Sequence, residues 1–94
     1  MPVYLVTWNL NKERRNYDDA RKAFLGKLDA YVGIKDALES TRFIHTNATA
    51  DEVTDDLRSE MDSDDRLFVC KVNPGQRQGW LSQAVWDWIN ARGA

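Results

Sequence analysis

The sequence predicts an α+β sandwich in a single domain, with two helices on one face of a sheet and a further helix after the last strand. Three observations point there. Val3–Leu10 (VYLVTWNL) and Arg66–Val72 (RLFVCKV) are built mainly from β-branched, aromatic and leucine residues, with no Gly or Pro inside. That is the composition of strands in a sheet. Between them lie two segments whose apolar residues recur at three- and four-residue spacing, the period of an amphipathic helix. The chain has 94 residues, 43% hydrophobic and 30% charged, enough for one core and in the proportions of a folded globular protein.

In the first strand, Tyr4, Val6, Trp8 and Leu10 share one side and are uniformly large and apolar, so they face the core. Val3, Leu5, Thr7 and Asn9 share the other side, which ends in polar groups. Asn9, at the strand's C-terminal end, is the first place to look for function. Asn11–Asn16 (NKERRN) follows as a charged loop. Asn16 is placed to cap a helix, with Asp18 and Asp19 in the first turn where they suit the dipole. Tyr17, Ala20, Phe24, Leu28 and Tyr31 form its stripe, with Leu25 and Val32 beside them and Gly33 as its stop.

Ile34–Ser40 (IKDALES) is weakly patterned, an edge strand or an irregular approach to one, and Thr41–Thr46 (TRFIHT) is a clearer strand ended by Asn47. Thr49 and Glu52 have the spacing of a capping box. Ala50, Val53, Leu57 and Met61 then line a second helix, which runs into the acidic turn Asp62–Asp65. Asn73-Pro74-Gly75 breaks the last strand and Gln76–Gly79 is polar loop. Ser82 caps a final helix through about Ala91, with Val85, Trp88 and Ile89 on one face and Leu81 stapling its start.

The order is strand, helix, one or two strands, helix, strand, helix. Two central apolar strands and a weak pair at the edge fit the split-βαβ, ferredoxin-like plan with an additional C-terminal helix. That plan leaves one sheet face for the last helix or a second subunit to cover. Three of the four tryptophans fall in Trp80–Trp88, a segment read as core or subunit contact rather than a ligand box.

The chemistry-bearing residues are few. Thirteen Lys and Arg against fifteen Asp and Glu give a net charge of −2, which argues against a protein that coats nucleic acid. A local basic patch stays open: Lys12, Arg14 and Arg15 follow Asn9 directly and are weak candidates for nucleic-acid or phosphate binding, diluted by Glu13. The single cysteine, Cys70, has no partner for an internal disulfide and lies in an apolar run, as a buried free thiol would. His45 is the only histidine. It reads as a surface or dimer-contact residue, and no second histidine or cysteine pair completes a zinc site. No Walker loop, G-x-G-x-x-G or nucleophile elbow occurs. The acidic pairs Asp51-Glu52 and Asp55-Asp56 and the turn Asp62–Asp65 read as solvated surface rather than a cation site. No apolar run approaches the ~20 residues of a membrane span, and the start lacks a signal-peptide layout. A cytoplasmic protein with no membrane partner is expected.

Tyr4–Asn11 (YLVTWNLN), with the charged loop and Tyr17 at a helix start, resembles the opening of SinR-like proteins. These are similar to the VapD toxins and to the CRISPR-associated adaptation protein Cas-two. The resemblance continues through Glu39–Thr46 (ESTRFIHT), Thr49–Leu57 and Asp64–Val72 (DDRLFVCKV), and ends in the helix that follows Gly79. It implies a ferredoxin-like fold, usually a homodimer, with nuclease activity in some members. The family's catalytic feature is an aspartate at the end of the first strand, one from each subunit, holding a divalent metal. Here that position is Asn9, whose amide can ligate Mg²⁺ but brings no charge, whereas hard dications prefer carboxylates.

The reading is therefore a homodimeric, non-catalytic binding or assembly module with no cofactor. A metal-dependent endoribonuclease of the toxin type, using Mg²⁺, is the alternative, and RNA or DNA is the partner it would engage. A small-molecule-sensing regulatory domain is a third reading, favoured by the fold alone. Leu5 and Thr7, with Leu67 and Val69 from the other apolar strand, are expected on the sheet face that the first two helices leave uncovered, and so at the dimer interface.

Overall fold

The strand-forming and helix-forming stretches resolve into β1 (Val3–Asn9), α1 (Tyr17–Asp29), β2 (Val32–Leu38), β3 (Thr41–His45), α2 (Ala50–Arg58), β4 (Arg66–Lys71) and α3 (Gln83–Ala91). The computed structural model describes all residues from Met1 to Ala94, the side chain of Asp36 excepted. The four strands form one antiparallel sheet in the order β2-β3-β1-β4. The most apolar strand, β1, is thus paired on both sides. α1 connects β1 to β2 with β3 between them, and α2 connects β3 to β4 with β1 between them.

One sheet face carries the larger core. Tyr4, Val6 and Leu10 meet Phe24 and Leu28 of α1, and Val53 and Leu57 of α2. Trp8 closes the edge of this core against Phe24, ring centroids 5.3 Å apart. The parity expected for β1 is therefore the parity found. α2 starts with the expected capping box: the Glu52 N–H donates to Thr49 Oγ1 at 3.1 Å, and the Thr49 N–H to Glu52 Oε1 at 3.0 Å. Across the two helices, the Tyr31 hydroxyl donates to Asp56 at 2.7 Å and Lys27 pairs with the same carboxylate at 3.2 Å. Burial, and then the hydrogen bond to that carboxylate, push the Tyr31 pKa up to about 12.

The opposite face has a smaller core under α3, where Val85, Ile89 and Ala94 pack with Val3 and Phe43. Ser82 caps α3 by accepting the Val85 N–H at 3.4 Å. Two guanidiniums lie over its tryptophans: Arg92 is 3.9 Å from the Trp88 ring centre and Arg77 5.0 Å from that of Trp86. No described helix is long and apolar enough to cross a membrane.

Four expectations need correction. Gly33 does not stop α1, which ends at Asp29; it lies within β2. A Cβ there would come 2.7 Å from the carbonyl oxygen of Phe43, so what requires glycine is the close approach of β3. Asn16 makes no side-chain cap; its Oδ1 instead accepts from Arg14 Nε at 3.1 Å. Leu67 and Val69 do not share a face with Leu5 and Thr7. The register sets Leu67 opposite Trp8 and Val69 opposite Val6, and both pack against the larger core under α1 and α2. It is Phe68 and Cys70 that stand opposite Thr7 and Leu5. Cys70 is accordingly exposed rather than buried, because its side of β4 lies beyond the reach of α1 and α2.

Candidate functional site

Two features meet at the β1–β4 side of the molecule, the Asn9 end of the sheet and the part of its second face that α3 leaves uncovered. β1 leaves the sheet at Asn9, which is exposed and sits opposite Arg66. The next residue, Leu10, is drawn back into the core. The loop beyond it is held from below by Asp65, the one buried charged residue among the described side chains. Asp65 Oδ1 accepts the Asn11 N–H at 2.7 Å. Its Oδ2 accepts Arg14 Nη1 at 2.9 Å and the Asp62 N–H at 3.0 Å. Burial pushes this carboxyl up, but the two backbone N–H groups and the Arg14 charge outweigh it, and the net pKa is lowered.

This changes the reading of the basic loop. Arg14 is committed to Asp65 and also reaches Asp62 at 3.3 Å, with only 17% of its side chain exposed. Lys12 and Arg15 are exposed and form no ion pair among the described side chains. Arg66 turns back to the main-chain oxygens of Ser63 and Asp65, both at 2.9 Å. Asn9, Lys12, Glu13 and Asp64 line one shallow depression, so two acidic residues and one lysine share it with Asn9. Among the described residues no three His, Cys, Asp or Glu side chains converge as a metal site. Asn9 can donate and accept hydrogen bonds, but as a neutral amide it can neither neutralise a dication nor take a proton from water.

The second sheet face opens into a cleft of about 560 Å³ between β4, β1 and the start of α3. Leu5 and Cys70 lie in it, with Phe68, Leu38 and Leu81 beside them. Leu5 and Thr7 are thus on the expected face. Thr7 is satisfied within the chain: its hydroxyl donates to the Ser40 carbonyl and accepts from Thr41 Oγ1, both at 3.1 Å. His45 sits against α3, with Nε2 2.9 Å from the Met1 carbonyl oxygen and its ring edge-on to Trp88. Around the cleft three large apolar side chains stay open: Leu38 at 51% exposure, Phe68 at 61% and Trp80 at 98%.

Phe68 and Leu38 escape the sequence reading, which takes in Trp80 only as part of a core or subunit-contact segment and Asp65 only as part of a solvated acidic turn. A signal existed for Phe68, since pairing Val6 with Val69 rather than with Phe68 reverses every side chain of β4. Nothing in the spacing of Asp62–Asp65 separates its buried member from its solvated ones. Compared with protein-family models and with curated proteins, the chain matches none.

Proposed function

We propose that the protein is a ferredoxin-like homodimer, a relative of the SinR-like, VapD and Cas-two proteins, that works as a binding or assembly module without nuclease chemistry at Asn9. The observation that carries this reading is the uncovered apolar strip of the second sheet face, with Leu38, Phe68 and Trp80 open around one cleft and Asn9 at the same end of β1. Large apolar side chains left open together around one cleft, rimmed by polar residues, are the pattern of an interaction surface. The strand order read from the β4 edge, β4-β1-β3-β2, with α1 and α2 on one face, is that of the ferredoxin-like plan and supports the relationship. A two-fold pairing through this face sets the same strip against itself. Asn9 argues against metal-assisted hydrolysis, because such sites activate water with anionic ligands and a base. A nucleic-acid partner would meet Lys12 and Arg15, and an exposed free thiol at Cys70 suits the reducing cytoplasm.

Light scattering at micromolar concentration tests this, with about twice the 10.9 kDa chain mass expected and Phe68→Glu expected to restore the monomer with unchanged helix content. A monomer throughout overturns it. One observation favours the second reading, a metal-dependent endoribonuclease: Asp64 lies in the same depression as Asn9. Robust cleavage of RNA with Mg²⁺ or Mn²⁺, abolished by both Asn9→Ala and Asp64→Ala, would establish that reading in place of the first.

A further inference from the structure

We infer that Trp80 is the residue each copy contributes to the other's cleft: the indole of one protomer seats between the sheet and α3 of its partner. The inference rests on the proposed pairing through the open face and names the contact that makes it.

Trp80 is the most exposed large apolar side chain described, at 98%, yet it stands at the mouth of an apolar cleft on its own chain without packing into it. Knob and socket thus lie side by side on one surface. A two-fold axis between them satisfies both at once and closes the assembly at two copies. The socket is large enough, because about 560 Å³ falls within the ~300–1,000 Å³ typical of compact ligand sites.

The chemistry of the socket also suits an indole. Leu5, Phe68 and Leu81 supply apolar wall for the ring. A buried indole N–H needs an acceptor, and Asn73, Gln76 and Gln78, each with a side-chain amide, are among the residues that line the cleft. Area supports a second copy as well. A tryptophan buries roughly 150–250 Å², so two indoles and the walls they meet account for about 600–1,000 Å². Covering the exposed part of Leu38 on both copies adds to this, toward the ~1,200 Å² at which stable interfaces begin.

Sedimentation velocity across a dilution series, on the full chain and on Trp80→Ala, Trp80→Phe and Phe68→Glu, tests the contact. The dimer dissociation constant should rise about 30-fold or more in Trp80→Ala, as for a buried anchor residue, and less in Trp80→Phe, while circular dichroism stays unchanged. The emission assigned to Trp80, taken as the difference between the wild type and Trp80→Phe, should move to the blue and resist acrylamide quenching as the dimer forms. A dimer that Phe68→Glu disrupts but Trp80→Ala leaves at wild-type affinity, with Trp80 emission like that in water, overturns this inference alone. A wild type that stays monomeric, whether or not another molecule occupies the cleft, overturns both the inference and the dimer reading beneath it.

Discussion

Replacing Asp65 by asparagine is the sharpest probe of how the Asn9 end is held in place. The carboxylate accepts three hydrogen bonds, from the Asn11 and Asp62 N–H groups and from Arg14, and its side chain has no exposed surface. An asparagine keeps one acceptor oxygen and turns an NH₂ group toward donors on the other side, whichever way the amide is flipped. Breaking a buried ion pair costs about 3–5 kcal/mol. Arg14 retains some access to water and can fall back on Asp62, so the lower end, about 3 kcal/mol, is expected. A domain of this size has only ~5–15 kcal/mol in total, and the loss should lower Tm by about 12–24 °C. The pH dependence follows from the direction of the shift. The folded pKa of Asp65 lies below its ordinary value of 3.8, so its charge adds stability above that value and the contribution is lost as pH falls through the folded pKa. Thermal melts of both proteins from neutral to acid pH should therefore show a gap that narrows below about pH 4. A gap under about 4 °C at neutral pH, or one that stays constant into acid, would refute the reasoning.

Three further outcomes are expected. Trp8→Ala removes the half-buried ring that packs on Phe24 and should cost about 3 kcal/mol in chemical denaturation, the lower end for a core tryptophan; an unchanged midpoint would contradict the packing. Thr49→Ala removes the hydroxyl that accepts the Glu52 N–H in the α2 capping box, while the backbone N–H that donates to Glu52 stays, and should cost about 1 kcal/mol by the same assay. Asn9→Asp adds a carboxylate to the depression that Glu13 and Asp64 already line, so Mg²⁺ should raise Tm in this variant by more than in the wild type; equal shifts would show that no cation is held there.

The elements that sequence made legible are those with one clear period. β1 alternates large apolar residues with smaller and polar ones, and its parity, its central place and its contact with Phe24 all follow. The α2 capping box and the Ser82 cap were equally readable, because each depends on a few neighbouring residues. β4 was not readable in the same way. Leu67, Phe68, Val69 and Cys70 are apolar on both faces, so only the pairing of Val6 with Val69 decides which two face the helices. Gly33 misled for a related reason, since glycine marks both helix ends and close strand contacts. The candidate site was legible at Asn9, whose place at the strand end is local. Arg14 and Asp65 were not, since their partners are 51 residues apart.

The division of the molecule into two cores on opposite faces has a consequence for the order in which it forms. Every residue of the larger core lies before α3 in the chain, from Tyr4 to Leu57, with Leu67 and Val69 closing its edge. A nascent chain can therefore complete that core before α3 emerges. The helix arrives last, on a tether that runs from Val72 to Ser82, and meets a sheet already built. Its own core is small, so α3 is the unit with the least to lose by local opening. When it lifts, Val3 and Phe43 join the surface that Leu5 and Phe68 already present, and the area a second molecule can cover grows without any change in the sheet.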